Sequence, residues 1–298
     1  MRAALLAQAW DIVVGMVVMA FLAVCLFVVG ARASRSCPRW VSGAVALSAV
    51  ASLVLFEQFV HGELFLARIL PFSNVIVLSN WLPLGGALLA GLIWGQARLP
   101  MWRRAIGALA LALVSACCLV EVVLREPPQM RELWTADGVC LQSDESTCSA
   151  ASAATLLRYA GISSTEREMA RLCLTRDSGT SVLGLYRGLK IKTRGTPWKV
   201  QAFKADIAGL RGMLSSPVVV SVGVEPGTDV DPIYSREWGW TPGVAHSVVV
   251  CGFAGDKRID VADPSVGREQ WYIKDLRVLW RGEGLQLLKV SRDRAGSP

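Results

Sequence analysis

Two hydrophobic patterns divide the chain near residue 125. Before this point lie four apolar runs, Ile12–Ala31, Trp40–Phe56, Val75–Gly95 and Ala105–Leu124, and Glu121 is the one charged residue inside them. About 20 apolar residues suffice to cross the roughly 30 Å core of a bilayer. Backbone polar groups in lipid must find partners within their own segment, so the pattern predicts four transmembrane helices. Burial of these runs in a large soluble core is disfavoured, because they leave no polar face for solvent.

Composition and two prolines indicate a domain boundary at Arg125-Glu126-Pro127-Pro128. The chain is 53% hydrophobic and 18% charged, whereas soluble proteins are roughly 25% charged. Most of the charged residues follow the fourth run, and the prolines prevent a helix from continuing. We therefore predict a transmembrane region over residues 1–126 and a second domain of ordinary size over residues 127–298.

The charges around the apolar runs predict how the chain crosses the membrane. The first run is expected to be a retained helix, because it is long for a signal peptide, Asp11 interrupts the basic start, and three further runs follow. The basic loops contain Arg32, Arg35 and Arg39, and Arg98, Arg103 and Arg104. Basic loops belong in the cytoplasm, so the N-terminus and the second domain are expected outside the cytoplasmic membrane.

The net charge of +7 does not indicate a nucleic-acid partner. It comes partly from those loop arginines, and no run of five or more Lys or Arg residues occurs. The lipid bilayer is therefore the first partner that the sequence predicts, for an integral membrane protein with four spans.

After residue 127 the pattern changes from helices to strands. Caps and apolar stripes predict helices at Thr147–Ala160, Thr165–Leu174 and Leu183–Lys190. Short apolar runs predict strands at Pro217–Gly223, Ser247–Phe253, Arg258–Ala262, Gln270–Ile273 and Gly284–Val290. Helices followed by strands indicate an α+β domain.

A cysteine at a helix start is the first candidate for chemistry. Cys148 lies at the beginning of the helix predicted at Thr147–Ala160, where backbone N–H groups and the helix dipole favour a thiolate. Gln142, six positions earlier, lies on the loop that enters this helix. Its side-chain amide, together with the backbone N–H of Cys148, could donate to the oxyanion that forms when a thiolate attacks a carbonyl.

The only histidine of the second domain is a candidate base. His246 lies at the start of a valine-rich strand, and Asp263 lies at the end of the next strand, immediately before Pro264. An aspartate there could accept from the second imidazole nitrogen and fix its tautomer. Each residue alone has a structural explanation, since a lone Cys is most often a small buried residue. Their combination and order along the chain favour a Cys–His–Asp triad.

Two segments resemble the double-glycine leader peptidases, the family that processes bacteriocins. The first is Gln142–Gly161 (QSDESTCSAASAATLLRYAG), in which Gln precedes Cys by six positions. The second is His246–Gly267, with HSVVVCGF followed by VADPSVG, and Leu279–Gly282 fits the usual end of the domain. The resemblance covers roughly residues 138–290. The resemblance implies a papain-like cysteine peptidase fold and hydrolysis of peptide bonds through a thioester. Gln142, Cys148, His246 and Asp263 each fall on a motif position of the family.

The chain departs from this family in three ways. The family usually has Gly after the Cys, whereas this chain has Ser149, whose side chain is expected to crowd the approach of a substrate backbone. No GxxxxGK[ST] phosphate loop is present, so the sequence does not predict an ATP-driven exporter. Peptidase domains of exporters face the cytoplasm, whereas the arginines place this domain outside. A separate exporter or secretion component is therefore an expected partner.

The remaining cysteines of the second domain suggest a disulfide. Cys140 and Cys173 flank the helix of Cys148, and in an oxidising compartment they could pair while Cys148 stays free. The absence of CxxC and HxxxH spacings argues against a zinc site. We expect no metal and no cofactor.

Three functions are compatible with these residues. The first is a membrane-anchored thiol peptidase acting on a peptide or leader, in which Gln142 holds the oxyanion beside the triad. The second is an inactive, peptidase-like binding module, which Ser149 and the missing ATPase favour. The third is an acyl or amide transferase that uses the same triad. The stretch Glu225–Gly243, with Trp238 and Trp240, either overhangs the cleft and shapes specificity or packs as a surface loop.

Overall fold

The computed structural model of the chain describes residues 2–120 and 127–290, with side chains from residue 10 onward. The chain forms two compact units. The first consists of Met1–Leu66 and Leu70–Arg125, and the second of Ala67–Ile69 and Glu126–Pro298. The end of the fourth predicted run, at residues 121–124, and the boundary at Arg125-Glu126 lie outside the described residues.

The N-terminal part of the chain is built from helices. They are α1 Arg2–Ser36, α2 Arg39–Phe59, α3 Leu66–Ile69, α4 Val75–Leu78, α5 Leu82–Gly95 and α6 Met101–Val120. Four stretches are long and apolar enough to cross a membrane: Trp10–Ser36, Arg39–Phe59, Val75–Gly95 and Met101–Val120. Each of them contains or overlaps one of the four predicted runs.

The third of these stretches is interrupted. Helix α4 ends at Leu78 and α5 begins at Leu82, with Pro83 in the first turn of α5. Proline is tolerated there, because the N–H that it lacks would have no partner within the helix. In the break, Asn80 donates from Nδ2 to the carbonyl oxygen of Cys118 in α6 at 3.2 Å. This hydrogen bond joins the interruption to a neighbouring helix.

Glycines allow α1 and α5 to approach closely. A Cβ added at Gly91 would collide with the carbonyl oxygen of Phe27, and one at Gly95 with that of Ala31. Small residues four apart are a common means of bringing helix backbones together in a membrane. A larger residue at either position would therefore separate the two helices.

The second unit is an α+β domain, as the sequence predicts. Its helices are α7 Cys148–Tyr159, α8 Glu166–Leu172, α9 Val182–Lys192, α10 Ile207–Met213, α11 Ile233–Arg236 and α12 Ile273–Leu279, and a 3₁₀ turn, Glu145–Thr147, precedes α7. Its strands are β1 Trp198–Lys204, β2 Val218–Val222, β3 His246–Ala254, β4 Arg258–Asp263, β5 Gly267–Tyr272 and β6 Trp280–Lys289. They form one antiparallel sheet in the order β1-β6-β2-β3-β4-β5.

One predicted strand is partly wrong. The segment Gln270–Ile273 was expected to be extended throughout, but β5 ends at Tyr272 and Ile273 begins α12. Ile273, Leu276 and Leu279 are buried at a helical spacing, so the apolar face of a helix outweighs the local preference for a strand. Strand β1 and helices α10, α11 and α12 are absent from the sequence-based prediction.

The order of the strands brings His246 and Asp263 to the same edge of the sheet. Strand β3 is interior, paired with β2 on one side and β4 on the other. His246 is its first residue and pairs with Val222. Because β3 and β4 are antiparallel, the start of β3 and the end of β4, at Asp263, lie side by side.

Helix α7 packs against β3 through small side chains. Every residue from Cys148 to Leu157 is buried, and Ser152 donates from Oγ to the carbonyl oxygen of Ser247 at 2.7 Å. The helix is followed by Gly161, whose φ of +73° is the left-handed conformation that favours glycine after a helix. The beginning of α7 therefore lies next to the beginning of β3.

Candidate active site

A capped 3₁₀ turn places Cys148 at the first position of α7. Asp144 Oδ1 accepts from the N–H of Ser146 at 2.9 Å, and Thr147 Oγ1 accepts from the N–H of Asp144 at 3.1 Å. Together these hydrogen bonds form a capping box. The sequence predicts Ser146 or Thr147 as the cap. Thr147 is the residue before α7, but its side chain makes no capping hydrogen bond to α7, and Asp144 caps the preceding turn.

The Cys148 thiol is buried beside the beginning of β3. Its residue is 7% exposed, and the pKa of the thiol is lowered by hydrogen bonds with the His246 imidazole, the backbone N–H of Ser247 and the hydroxyl of Ser149, whose Oγ lies 4.0 Å from the sulfur. Burial raises the pKa of Cys148, but these hydrogen bonds and the charge of His246 outweigh burial, so the pKa lies below the ordinary value of 9.0. The site therefore favours the thiolate, which is the nucleophilic form of cysteine.

His246 lies between Cys148 and Asp263. Its Nε2 is 2.9 Å from Asp263 Oδ1. Burial lowers the pKa of His246, but hydrogen bonds to Asp263 and Cys148 and the negative charges of both raise it from 6.5 to about 9. The lowered pKa of Cys148 and the raised pKa of His246 both favour a thiolate–imidazolium pair over the neutral thiol and imidazole.

Gln142 lies at the edge of the sheet that carries His246 and Asp263. Its side chain is held there by Ser265, a residue that the sequence analysis does not single out. The backbone N–H of Gln142 donates to the carbonyl oxygen of Pro264 at 2.8 Å, and its Oε1 accepts from Ser265 Oγ at 3.3 Å. Ser265 also donates its N–H to Asp263 Oδ1 at 2.7 Å, and its Oγ is 3.4 Å from His246 Nε2. Ser265 thus connects Gln142 to the imidazole–carboxylate pair. A serine after Asp-Pro is typical of a turn, which gives no signal of this contact.

A buried carboxylate fixes the loop behind Gln142. Glu166, in the first turn of α8, is 0% exposed. Its Oε1 accepts from the N–H of Ser143 at 2.7 Å, and its Oε2 accepts from the Ser143 hydroxyl at 2.5 Å. Because Ser143 directly follows Gln142, these two hydrogen bonds restrict where the Gln142 side chain can lie.

Ser149 packs against the sheet and is not among the residues that line the cleft beside His246, which argues against the expected crowding. It is 5% exposed, and its Oγ lies 2.7 Å from the Oγ of Ser247 in β3. The side chain occupies the space between α7 and the strand. The position that is usually glycine in the resembled family therefore gives no reason here to expect a blocked thiol.

A cleft of about 740 Å³ opens beside these residues. Gln142, His246 and Asp263 line it, together with residues of the segments 238–245 and 265–275. Cys148, which is 7% exposed, is not among its lining residues.

The stretch Glu225–Gly243 contributes two tryptophans to the wall of this cleft, as expected if it overhangs the cleft. Trp238 and Trp240 both line it. The ring of Trp240 meets the His246 imidazole edge-on, with ring centroids 5.8 Å apart. It also meets Trp271 of β5 edge-on, at 5.9 Å. The aromatic side chains of this stretch therefore belong to the site.

The other cysteines of the domain form neither a disulfide nor a metal site in the described residues, 2–120 and 127–290. Cys140 and Cys173 are free, which corrects the expected pairing. The backbone N–H of Cys140 donates to Thr155 Oγ1 at 2.9 Å, whereas Cys173 packs against Gly188. Burial raises the pKa of each thiol to about 12. Both therefore stay protonated, and disulfide formation requires a thiolate.

The second unit, in which a helix that begins at a cysteine packs on a six-stranded antiparallel sheet, has a papain-like cysteine peptidase fold. Comparison with protein families agrees, because residues 137–282 match the family described as "Peptidase_C39 like family". This segment is a Peptidase_C39-like domain, and its resemblance to the double-glycine leader peptidases is confirmed. No curated protein sequence matches the chain.

Solved structures similar to this chain include peptidase domains of transporters. The peptidase domain of Streptococcus ComA, a bi-functional ABC transporter involved in a quorum-sensing pathway, is 20% identical, with a TM-score of 0.40 over 51% of this chain and 97% of that chain. The Streptococcus mutans ComA peptidase domain is 21% identical, with a TM-score of 0.35 over 50% and 98%. A double-glycine motif protease from an AMS/PCAT transporter, in complex with the leader peptide, is 16% identical, with a TM-score of 0.37 over 57% and 97%.

Proposed function

We propose that this domain is a cysteine peptidase that hydrolyses a peptide bond with Cys148 as nucleophile, His246 as base and Asp263 as the orienting carboxylate. The observation that supports the proposal best is the contact of His246 Nε2 with Asp263 Oδ1 at 2.9 Å, together with the interaction of the same imidazole with Cys148 that lowers the pKa of the thiol. The lowered pKa of Cys148 and the pKa of about 9 for His246 favour an ion pair that is ready to attack a carbonyl.

The first half of the proposed reaction forms a thioester. The Cys148 thiolate attacks the carbonyl carbon of the scissile bond, and negative charge moves to the carbonyl oxygen. The Nε2 amide of Gln142 and the backbone N–H of Cys148 donate to this oxyanion. The His246 imidazolium gives its proton to the amide nitrogen as the C–N bond breaks, so the amine product leaves.

The second half hydrolyses the thioester. Neutral His246 takes a proton from a water molecule, whose oxygen attacks the acyl carbon. The C–S bond then breaks, the carboxyl product leaves, and Cys148 returns as the thiolate beside the imidazolium. Asp263 fixes the tautomer of His246 and stabilises its positive form in both halves. One water molecule is consumed for each peptide bond.

The four apolar helices support an anchor in the cytoplasmic membrane. Arg32 and Arg35 lie near the end of α1, and Arg39 begins α2. Basic residues at this junction favour its position in the cytoplasm. The peptidase domain then lies outside the membrane and acts on a peptide or leader that a separate exporter or secretion component delivers.

Turnover and labelling by the full-length protein in detergent test the proposal. Cys148→Ala should abolish peptide hydrolysis, and alkylation of the peptide that contains residue 148 should disappear by mass spectrometry. Cys251→Ala is the matched control, because Cys251 is a half-buried thiol on β3 outside the proposed triad. Hydrolysis that survives in the Cys148→Ala protein would contradict the proposed nucleophile.

The two alternative functions would give different products. A binding module would bind peptide without releasing fragments, and an acyl transferase would convert an added amine into an amide product in preference to the free acid. A membrane-impermeant thiol probe on intact cells tests the orientation. Labelling at Cys148 supports an extracytoplasmic domain, and labelling only after permeabilisation contradicts it.

A further inference from the structure

The cleft beside the proposed triad has an aromatic wall. Trp238, Trp240, Trp271 and Tyr272 all line it, and the rings of Trp240 and Trp271 stand at 87° to each other with centroids 5.9 Å apart. Trp238 and Tyr272 are 47% and 46% exposed, so much of their surface remains available to a ligand. Aromatic rings bind apolar side chains and also attract cations at their faces.

Carboxylates exceed cations among the side chains of this cleft. Apart from Asp263, which is paired with His246, the acidic lining residues are Glu145, Glu269 and Asp275. Lys274 is the only lysine or arginine among the lining residues, and its Nζ lies 5.6 Å from the centre of the Tyr272 ring. The fixed charges therefore give the cleft a negative potential, which attracts positively charged groups.

The position of Asp275 decides which kind of side chain fits best. It is 8% exposed, and its Oδ1 accepts from the Tyr234 hydroxyl at 2.8 Å. Burial of an apolar side chain over this carboxylate would remove water from it without replacing the lost hydrogen bonds. A cationic side chain would replace them with a charge-assisted hydrogen bond while its alkyl stem packs on the tryptophans.

We propose that this cleft selects a lysine or arginine side chain of the substrate peptide, with Asp275, Glu145 and Glu269 as its acidic partners. Glu269 Oε2 already accepts from Trp271 Nε1 at 2.8 Å, which holds the carboxylate beside the aromatic wall. Glu145 is exposed and lies in the 3₁₀ turn that precedes α7. The inference rests on the proposed peptidase function, since it assigns a specificity to the same site.

Peptide binding to the full-length Cys148→Ala protein tests this selectivity without requiring turnover. Fluorescein-labelled peptides of one neutral sequence would carry Lys, norleucine or Glu at each position in turn. We expect Lys to bind at least tenfold more tightly than norleucine at one position, and Glu to bind most weakly. Fluorescence anisotropy gives the dissociation constants, and the preference for Lys should fall as NaCl is raised.

Charge-removing variants assign the preference to the cleft. Asp275→Asn keeps an oxygen for the Tyr234 hydroxyl and should reduce the Lys preference at least threefold, and Glu145→Gln should reduce it less. Asp256→Asn is the matched control, because Asp256 is an exposed carboxylate paired with Arg211 at 3.2 Å outside the lining residues. If Asp275→Asn fails to fold, the exposed Glu145→Gln variant and the salt dependence still decide the question.

The outcomes separate this inference from the proposed function. Equal binding of Lys and norleucine peptides, or tighter binding of norleucine, overturns the cationic selectivity even if the wild-type protein hydrolyses peptides. Cation-selective binding combined with no hydrolysis by the wild-type protein overturns the peptidase and leaves the cleft assignment supported.

Discussion

The hydroxyl oxygens of Ser149 and Ser247 lie 2.7 Å apart. This hydrogen bond joins the residue that follows the proposed nucleophile to the residue that follows the proposed base. It crosses from the first turn of α7 to β3, and the nearby hydrogen bond from Ser152 to the Ser247 carbonyl reinforces it. The separation of Cys148 and His246 is therefore set by contacts between their neighbours.

Removing one of these two serines should destabilise the domain more than removing both. Ser149→Ala leaves the buried Ser247 hydroxyl without this partner, and an unsatisfied buried hydroxyl costs about 1 to 3 kcal/mol. The Ser149→Ala/Ser247→Ala double variant should recover part of that loss. Thermal unfolding of the full-length protein in detergent measures the coupling. Ser235→Ala, at an exposed position, is the control, and additive losses would contradict a direct interaction.

Activity should depend on pH through two ionisations of opposite sign. As pH is raised, the rate of peptide hydrolysis should first rise, because Cys148 loses its proton at a pKa below the ordinary value of 9.0. The rate should then fall, because His246 loses its proton at a pKa of about 9. Asp263→Asn removes the charge that raises the pKa of His246, so the falling limb should move toward lower pH. Peptide hydrolysis and the alkylation rate of Cys148, each measured from pH 5 to 10, check this. An unchanged falling limb would contradict the role of Asp263.

Glu166 should act as a positioning residue for Gln142. Glu166→Ala removes both carboxylate oxygens that accept from Ser143 and should lower kcat roughly 10- to 100-fold with little change in KM, since loss of an oxyanion donor costs about 100- to 1,000-fold. Glu166→Gln keeps one acceptor oxygen and should be intermediate.

A control on the same helix separates positioning from folding. Glu168→Ala breaks an ion pair with Lys192 at 2.7 Å and should leave kcat unchanged. Each kcat is calculated from the amount of Cys148 that can be alkylated, so that misfolded protein does not lower the value. A kcat for Glu166→Ala equal to that of wild type on this basis would show that Gln142 does not depend on Glu166.

Cys140 and Cys173 should be inert until the domain unfolds. Their pKa values of about 12 follow chiefly from burial, so iodoacetamide at neutral pH should label neither in the native protein and both in denaturant. Reductant should leave the melting temperature unchanged. A cross-linked peptide that contains both residues in a non-reducing digest would show that the disulfide forms after all.

Local chemistry made part of the site predictable from sequence. Cys148 lies at a helix start, and His246 and Asp263 lie at strand ends, and each of these positions can be read from a few neighbouring residues. The α+β order and the four apolar runs are also local patterns of hydrophobicity.

The supporting residues could not be predicted, because their partners are distant in the chain. Ser265 meets Gln142 across 123 positions, and Ser149 meets Ser247 across 98. Serine and glutamate are common in turns and helix starts, so their types give no signal of such contacts. The cap of α7 was predictable only as Ser146 or Thr147, because both are good caps and only the path of the backbone selects Thr147.

His246 pairs with Val222 of β2, and β3 pairs with β4 from Val249 onward, so a shift of the His246 backbone would break the ladder to β2. This pairing restricts the movement of the His246 backbone and therefore of its imidazole. A ligand or partner that moved the tryptophan-bearing stretch along the cleft would change access to the proposed triad without displacing His246 from the sheet.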